Sequence, residues 1–108
     1  MEYFKRAENN QVKRYDPSYH GTRGPLYVSD PVEDLPLLRD FVGACAQAGL
    51  AANPDYNGAS QEGCSVLQTT THNARRWSAA SAYLKPALQS PNRLEVVTSC
   101  RVSRVEVE

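Results

Sequence analysis

Residues 55–86 read DYNGASQEGCSVLQTTTHNARRWSAASAYLKP, and this order of residue types predicts a turn, a strand, a loop and a helix. Asn57 and Gly58 tolerate positive φ, so we expect the chain to reverse direction there. The β-branched residues at positions 66 and 69–71 favour a pleated strand after the turn. The stretch therefore predicts an α+β fold.

The last third of this stretch has the pattern of a capped helix. Ser78 is a residue type whose side chain accepts a hydrogen bond from the first amides of a helix. The apolar face behind it consists of Ala79, Ala80, Tyr83 and Leu84. Pro86 has no amide hydrogen, so we expect it to end the helix near Leu84.

Apolar spacing elsewhere predicts two more helices and a short strand. Residues 2–10 form the first helix, and residues 26–28 form the strand. The second helix is capped by Asp34 and stops at Gly49 in a left-handed conformation. Its apolar stripe, which we expect to lie in a core, consists of Leu35, Leu38, Phe41, Val42, Cys45 and Ala46.

A polar loop at residues 11–24 joins the first helix to the strand. It carries Tyr15, Tyr19 and His20, so it can either line a pocket or dock on its own domain. The general behaviour of loops favours docking.

The carboxyl-terminal segment predicts two strands, residues 94–98 and 101–107, after a turn at Pro91 and Asn92. The sequence stops at Glu108 within the second of them, which would leave unpaired backbone groups at a sheet edge. Met1 leads into the first helix without a capping residue. Both ends therefore predict an internal piece of a longer protein.

Bulk composition excludes several classes of function. Lysine and arginine together number 12, as do aspartate and glutamate, so no general field attracts nucleic acid or a membrane surface. Glu2 and Lys5 follow Met1 where a signal peptide would be apolar. No apolar run approaches the roughly 20 residues of a membrane helix. We expect one cytoplasmic domain at most.

The three cysteines, Cys45, Cys64 and Cys100, are far apart in sequence and odd in number. No Cys-x-x-Cys pair is present, so we expect neither a metal site nor a thioredoxin-like site. Reduced and mostly buried thiols are predicted.

The order and spacing of several motifs resemble the glucose-methanol-choline (GMC) oxidoreductases, closest to their choline and alcohol dehydrogenase branch. The central motifs are DYNG (55–58), QEG (61–63) and RWSAASAYLKPAL (76–88). The flanking ones are EYFKRAE (2–8), GTRGPL (21–26), NRLEV (92–96) and VSRV (102–105). The resemblance therefore covers nearly the whole chain.

The resemblance implies an FAD-dependent enzyme that oxidises choline or a primary alcohol by hydride transfer to the flavin. The family's Gly-x-Gly-x-x-Gly turn, which holds a pyrophosphate at a helix start, is not found among the six glycines. The glycine-rich signature and the histidine base of the family are not found either, because neither His20 nor His72 lies in that motif. We therefore assign no catalytic residue here and expect the chemistry to lie outside this chain.

One cofactor contact carries over from the resemblance. In the second of the two final strands the family uses a valine main chain to hydrogen-bond the adenine of FAD, and Val102 matches that position. The alternative is that Val102 is only a sheet residue.

The resemblance also implies a division of the chain. Residues 1–90 are expected to belong to a substrate-binding or cap segment, and residues 91–108 to strands that return to a Rossmann-like FAD-binding domain. The alternative is a free-standing, non-catalytic binding module that forms a homo-oligomer through the edge at Val105 and Val107.

Two alternatives remain open around the helix start. Arg75 and Arg76 can hold an anionic group, or Arg76 can fix the loop by bonding carbonyls or a carboxylate while Ser78 caps the helix. Ala74 stands where the family usually has glycine, so a positive φ there would strain the loop.

Two further side-chain readings concern the turn and the single tryptophan. Asp55, Tyr56 and Asn57 resemble an acid/base constellation, but a turn in which Asp and Asn bond their own backbone is favoured. Trp77 is expected to be a packing anchor between helix and sheet and not a flavin-stacking residue.

Overall fold

The computed structural model describes residues 1–91 and 94–107, which form a mixed helix and strand fold. The helices are α1 (Glu2–Ala7), α2 (Pro36–Gln47) and α3 (Lys85–Gln89), with a π-helical segment (Ala80–Leu84) directly before α3. The strands are β1 (Glu8–Asn10), β2 (Leu26–Val28), β3 (Thr71–His72) and β4 (Arg75–Arg76). The predicted α+β class is therefore confirmed.

β1 and β2 form a parallel pair in which Glu8 faces Leu26 and Asn10 faces Val28. The strand predicted at residues 26–28 is confirmed. The helix predicted over residues 2–10 is too long by three residues. It ends because Glu8 is already extended, with φ −84° and ψ 140°, and the two asparagines pair with β2 instead of continuing the helix.

The loop at residues 11–24 docks against β1, as the loop argument favoured. Asn10 donates its amide hydrogen to the Gly21 carbonyl at 2.7 Å, and Gly24 donates to the Glu8 carbonyl at 2.9 Å. Both glycines are buried. A Cβ at Gly21 would overlap the Lys5 carbonyl, so the close approach of two backbones requires glycine there.

α2 confirms the predicted helix but corrects its cap and its burial. Leu35 and not Asp34 occupies the N-cap position, and Asp34 instead pairs with Arg39. Gly49 ends the helix with φ +90°, as predicted. The expected core stripe is wrong, since Phe41 is 62% exposed. No other helix or strand in the described part packs extensively on α2, so much of its apolar face is exposed.

The turn predicted after residue 55 is confirmed, with Gly58 donating its amide hydrogen to the Asp55 carbonyl at 3.1 Å. The turn does not form for the predicted reason, because neither Asn57 nor Gly58 has a positive φ. Gly58 is needed for space, since a Cβ there would lie 2.5 Å from Asp55 Oδ2.

The strand predicted from residue 66 is mostly absent, and only its end forms β3. β3 pairs antiparallel with β4, and Thr69 forms a bridge to Ser29 beside β2. Asn73 and Ala74 make the tight turn between β3 and β4 with φ of 50° and 58°. The strain predicted at Ala74 is therefore confirmed.

We expect Ala74→Gly to raise the free energy of unfolding by about 0.5–1 kcal/mol, because glycine adopts the left-handed conformation without the Cβ penalty. Urea denaturation of the longer protein that carries this segment measures the change. Ala44→Gly is the matched control, since Ala44 is exposed inside α2 and the same substitution there should cost about 0.5–1 kcal/mol. An unchanged or lowered stability of Ala74→Gly would contradict the strain.

Ser78 starts the last helical segment as predicted, with Ser81 donating its amide hydrogen to Ser78 Oγ at 3.4 Å. Pro86 does not end the helix, because α3 runs through it to Gln89. The preceding segment is π-helical, and Lys85 donates to the Ala80 carbonyl five residues back. This wider turn immediately precedes a residue that lacks an amide donor.

The two carboxyl-terminal strands are not formed. Residues 94–107 carry no regular secondary structure and pair with no strand in the described part of the chain. A strand needs a partner for its backbone groups, and none lies beside this segment. The predicted turn at Pro91 and Asn92 lies partly outside the described residues, as does the end at Glu108. The division at residue 90 stays a prediction.

Little apolar surface is buried. Ala82 is the one buried apolar residue among those described, and the accessible surface is 9211 Å². A folded monomer of 12.0 kDa is expected to expose about 6,000 Å². The radius of gyration is 18.0 Å, against about 13 Å for a compact domain of this length. None of the described helices is long and apolar enough to cross a bilayer.

Candidate functional site: a histidine held between two carboxylates

The buried polar groups of the described chain meet around His20. His20 is 5% exposed and Asn10 is 4% exposed. β1 positions Glu8 and Asn10, the loop at 11–24 supplies His20, and the turn after residue 54 supplies Asp55. Three segments that are distant in sequence therefore meet at one imidazole.

Each ring nitrogen of His20 faces a carboxylate. Nδ1 lies 3.1 and 3.2 Å from the two oxygens of Glu8, and Nε2 lies 3.0 Å from both oxygens of Asp55. An ionised carboxylate can only accept hydrogen bonds, so both nitrogens must donate. The geometry therefore favours the protonated imidazolium, in which both ring nitrogens donate.

The surrounding groups fix the carboxylates. Gly21 donates its amide hydrogen to Glu8 Oε2 at 2.9 Å, and Asn10 Nδ2 donates to Glu8 Oε1 at 2.9 Å. Asn10 Nδ2 also lies 3.2 Å from His20 Nδ1, but both atoms are donors beside the imidazolium, so its hydrogen bond goes to Glu8. Tyr15 stacks on the ring at 5.1 Å.

The pKa of His20 is raised above its usual value of 6.5. Burial of the ring lowers the pKa, but the hydrogen bonds and charges of Glu8 and Asp55 raise it by more. The site is therefore an ion-paired structural centre. Its side chain is 4% exposed and has no free nitrogen, so it offers no proton acceptor to a substrate.

We expect the His20 ring to titrate above pH 6.5 in the folded protein, whereas the same ring titrates near 6.5 when the chain is unfolded. The pKa of His20 is higher in the folded than in the unfolded state. The stabilisation of the fold by the protonated ring is therefore fully present below about pH 6.5, and it is lost as the pH rises through the folded-state pKa. An NMR titration of the His20 ring signals in the longer protein that carries this segment, native and urea-unfolded, measures both values. A native His20 pKa at or below the unfolded value would contradict the imidazolium.

This centre corrects the interpretation of Asp55. Its side chain bonds His20 and not its own backbone. The local turn contact is made by Asn53, whose Oδ1 accepts the Asp55 amide hydrogen at 3.0 Å. Sequence reasoning also missed Glu8. No local pattern can reveal a cluster whose members lie 12 and 35 residues from its histidine.

A groove of about 650 Å³ lies beside this centre, and we call it the α2 groove. Its lining includes Leu38 and Val42 of α2, together with Tyr15 and Val66. The guanidinium of Arg14 lies 4.7 Å above the Tyr15 ring and bonds Asp30 at 2.6 Å. Tyr15 thus belongs both to the docked loop and to a groove wall. The loop at residues 11–24 therefore does both things that its aromatic residues allowed: it docks on its own domain, and Tyr15 lines a groove.

Trp77 is a packing anchor as predicted, but its partners lie on strands and not on a helix and a sheet. Its indole nitrogen donates to the Pro25 carbonyl at 2.8 Å, and its ring meets Tyr27 and His72 edge-on at 5.5 and 5.2 Å. These contacts join β2 to β3. Arg75 and Arg76 are exposed on β4, and neither guanidinium has a bonding partner within the described chain, so the loop-fixing role expected of Arg76 is not observed.

Val102 lies apart from these features, on the irregular segment at 94–107. Its side chain is 77% exposed, and its backbone makes no hydrogen bond within the described residues. A main-chain donor and acceptor are thus both free at this position. The neighbouring residues of this segment also lack a strand partner, so the contact of Val102 with adenine stays a prediction.

Comparison with known proteins identifies the family. Residues 2–108 match the family described as GMC oxidoreductase. The oxygen-dependent choline dehydrogenase of Brucella ovis is 52% identical over 92 residues, which cover 85% of this chain and 16% of that protein. The enzyme of the same name from Sinorhizobium fredii is 44% identical over 116 aligned positions, covering the whole chain and 21% of that protein.

A solved structure agrees with this assignment. The crystal structure of pyridoxine 4-oxidase from Mesorbium loti matches 82% of this chain and 17% of its own, with a TM-score of 0.66 and 28% identity. The chain spans about a sixth to a fifth of the length of the relatives that it matches. Since the family match runs over almost every residue, this chain belongs to the GMC oxidoreductase family.

Proposed function

We propose that this chain is a segment of a longer FAD-dependent oxidoreductase that acts on the CH–OH group of choline or a similar primary alcohol. The observation that supports this proposal most strongly is the sequence identity of 44–52% to oxygen-dependent choline dehydrogenases. The chain covers only 16–21% of those proteins, so the greater part of such an enzyme would lie outside it.

The exposed apolar surface supports the same proposal. The accessible area of 9211 Å² exceeds the expectation for a monomer by about half. Phe41 on α2 and Val105 in the carboxyl-terminal segment are 62% and 83% exposed. Apolar surface of this extent is normally covered, and the remainder of the longer enzyme is the proposed cover.

FAD, when bound, would supply the hydride acceptor for alcohol oxidation. In this chain we propose that the main chain of Val102 holds the adenine ring. The proposed role of the His20 centre is to position the loop at 11–24 and the turn at residue 55 against β1. No residue of the described chain is proposed as the base.

A second candidate is a free-standing binding module, for which the exposed residues Val105 and Val107 offer apolar surface. Size-exclusion chromatography and urea unfolding of the 108-residue chain distinguish the two. The proposed segment should lack a cooperative transition and should associate without a defined size. A cooperative transition together with a discrete dimer would support the module and contradict the segment.

A further inference from the structure

Three hydroxyl groups meet where the chain before β3 approaches the end of β2. Ser29 and Thr69 exchange backbone hydrogen bonds at 3.0 and 2.8 Å, so these two residues lie directly opposite each other. Thr71 Oγ1 lies 2.8 Å from Ser29 Oγ and 3.0 Å from Thr69 Oγ1. We call these three side chains the hydroxyl cluster, and all three residues are half-buried.

The hydroxyl cluster has more donors than its own hydrogen bonds use. Each hydroxyl carries one hydrogen, and the three hydrogens serve only two hydrogen bonds within the cluster. The three side chains make no other hydrogen bond to the described residues. At least one hydroxyl hydrogen of the cluster is therefore left without an acceptor in that part of the chain.

Arg76 stands beside the hydroxyl cluster. β3 and β4 pair so that Arg76 lies opposite Thr71, while Arg75 lies opposite His72. Opposed residues of an antiparallel pair project to the same side of the sheet, with Cβ atoms about 5 Å apart. The two-residue turn at 73–74 fixes this register. Arg76 and Thr71 therefore share one side of the hairpin.

The guanidinium of Arg76 is exposed, and it bonds neither the hydroxyl cluster nor a carboxylate of the described chain. Asp30, which follows Ser29, is bonded to Arg14 at 2.6 Å. A guanidinium presents five N–H donors and no acceptor, and an ionised oxyanion can only accept hydrogen bonds. A cation beside an unused hydroxyl donor therefore has the chemistry of an oxyanion site.

We propose that Arg76 and the hydroxyl cluster bind a small oxyanion, which is a phosphate or a carboxylate group. Two parallel N–H donors of the guanidinium would bind two of its oxygens, and the unused hydroxyl hydrogen would bind an oxygen from the side of β3. The site does not depend on the flavin assignment, because none of its residues is proposed to contact FAD.

Chemical modification of arginine by phenylglyoxal tests this site in the longer protein that carries this segment. Fragmentation mass spectrometry of the peptides locates the modified residue. Arg75 is the internal control, because it is also exposed but its side chain leaves the opposite side of β4.

Inorganic phosphate at about ten times its dissociation constant should slow the modification of Arg76 about tenfold and leave the rate at Arg75 unchanged, with chloride keeping the ionic strength constant. Acetate is the second probe. Stronger protection by phosphate assigns the site to a phosphate group, and equal or stronger protection by acetate assigns it to a carboxylate.

Substitutions at Thr71 test the contribution of the hydroxyl cluster. Thr71→Val removes the central hydroxyl and should abolish most of the protection of Arg76, whereas Thr71→Ser should retain it. Thr70→Val is the matched control, since Thr70 is exposed and lies outside the cluster. It should leave the protection unchanged.

Two results would overturn the proposal. One is an effect of phosphate and acetate that is absent, or that is the same at Arg75 and Arg76. The other is an Arg76 that resists phenylglyoxal before any anion is added, because the longer protein would then itself occupy the guanidinium.

Discussion

Replacing His20 with alanine should lower the free energy of unfolding by about 3 kcal/mol, because it leaves two carboxylates facing each other without their cation. Glu8 and Asp55 have side chains only 18% and 22% exposed, so water can relieve the loss only in part. The expected loss comes from the uncompensated charges and from the lost anchorage of the loop at 11–24. The midpoint of urea unfolding of the protein that carries this segment measures it.

His72→Ala is the matched control, because His72 is the other histidine and is stacked on Tyr27 at 3.7 Å without an ion pair in the described chain. The His72→Ala substitution should lower the free energy of unfolding by about 1 kcal/mol. Adding Glu8→Gln and Asp55→Asn to His20→Ala should restore part of the stability, since no unpaired charge then remains. Equal losses for the two histidines would show that the His20 site is ordinary packing.

Replacing Val102 with proline in the longer flavoprotein should weaken FAD binding about two- to tenfold. Proline removes the main-chain donor at the proposed adenine contact, and one hydrogen bond is worth about 0.5–1.5 kcal/mol. Val102 makes no backbone hydrogen bond within the described residues, so the donor is free to serve the cofactor. Titration of the apoprotein with FAD, followed by flavin fluorescence, gives the affinity.

Two controls separate the adenine contact from strand damage. Val102→Ala keeps the main chain and should bind FAD normally. Ser103→Pro places the same ring one residue later, where the amide of an extended chain points to the opposite side. It should reduce stability without the same loss of FAD affinity. Normal FAD binding by Val102→Pro would remove this residue from the cofactor site.

Local patterns predicted those elements that local forces determine. The helix at residues 36–47 and its stop at Gly49 follow from apolar spacing and from one glycine in a left-handed conformation. These predictions need no knowledge of what surrounds the segment.

Predictions that depend on neighbours failed or remain open. The apolar stripe of α2 was expected in a core, yet Phe41 is exposed because burial depends on what covers a helix. The two final strands lack a partner strand, so no ladder forms at residues 94–107. The His20 centre joins residues from three distant segments, and no spacing rule brings Glu8 and Asp55 together.

The proposed function is tested most directly by the flavin of the protein that the complete reading frame encodes. That protein should purify with FAD, and choline or a primary alcohol added without air should bleach the flavin absorbance. The 108-residue chain alone should do neither. A full-length product that binds no flavin, or a 108-residue chain that oxidises alcohol by itself, would contradict the assignment of this chain as one segment of a longer flavoenzyme.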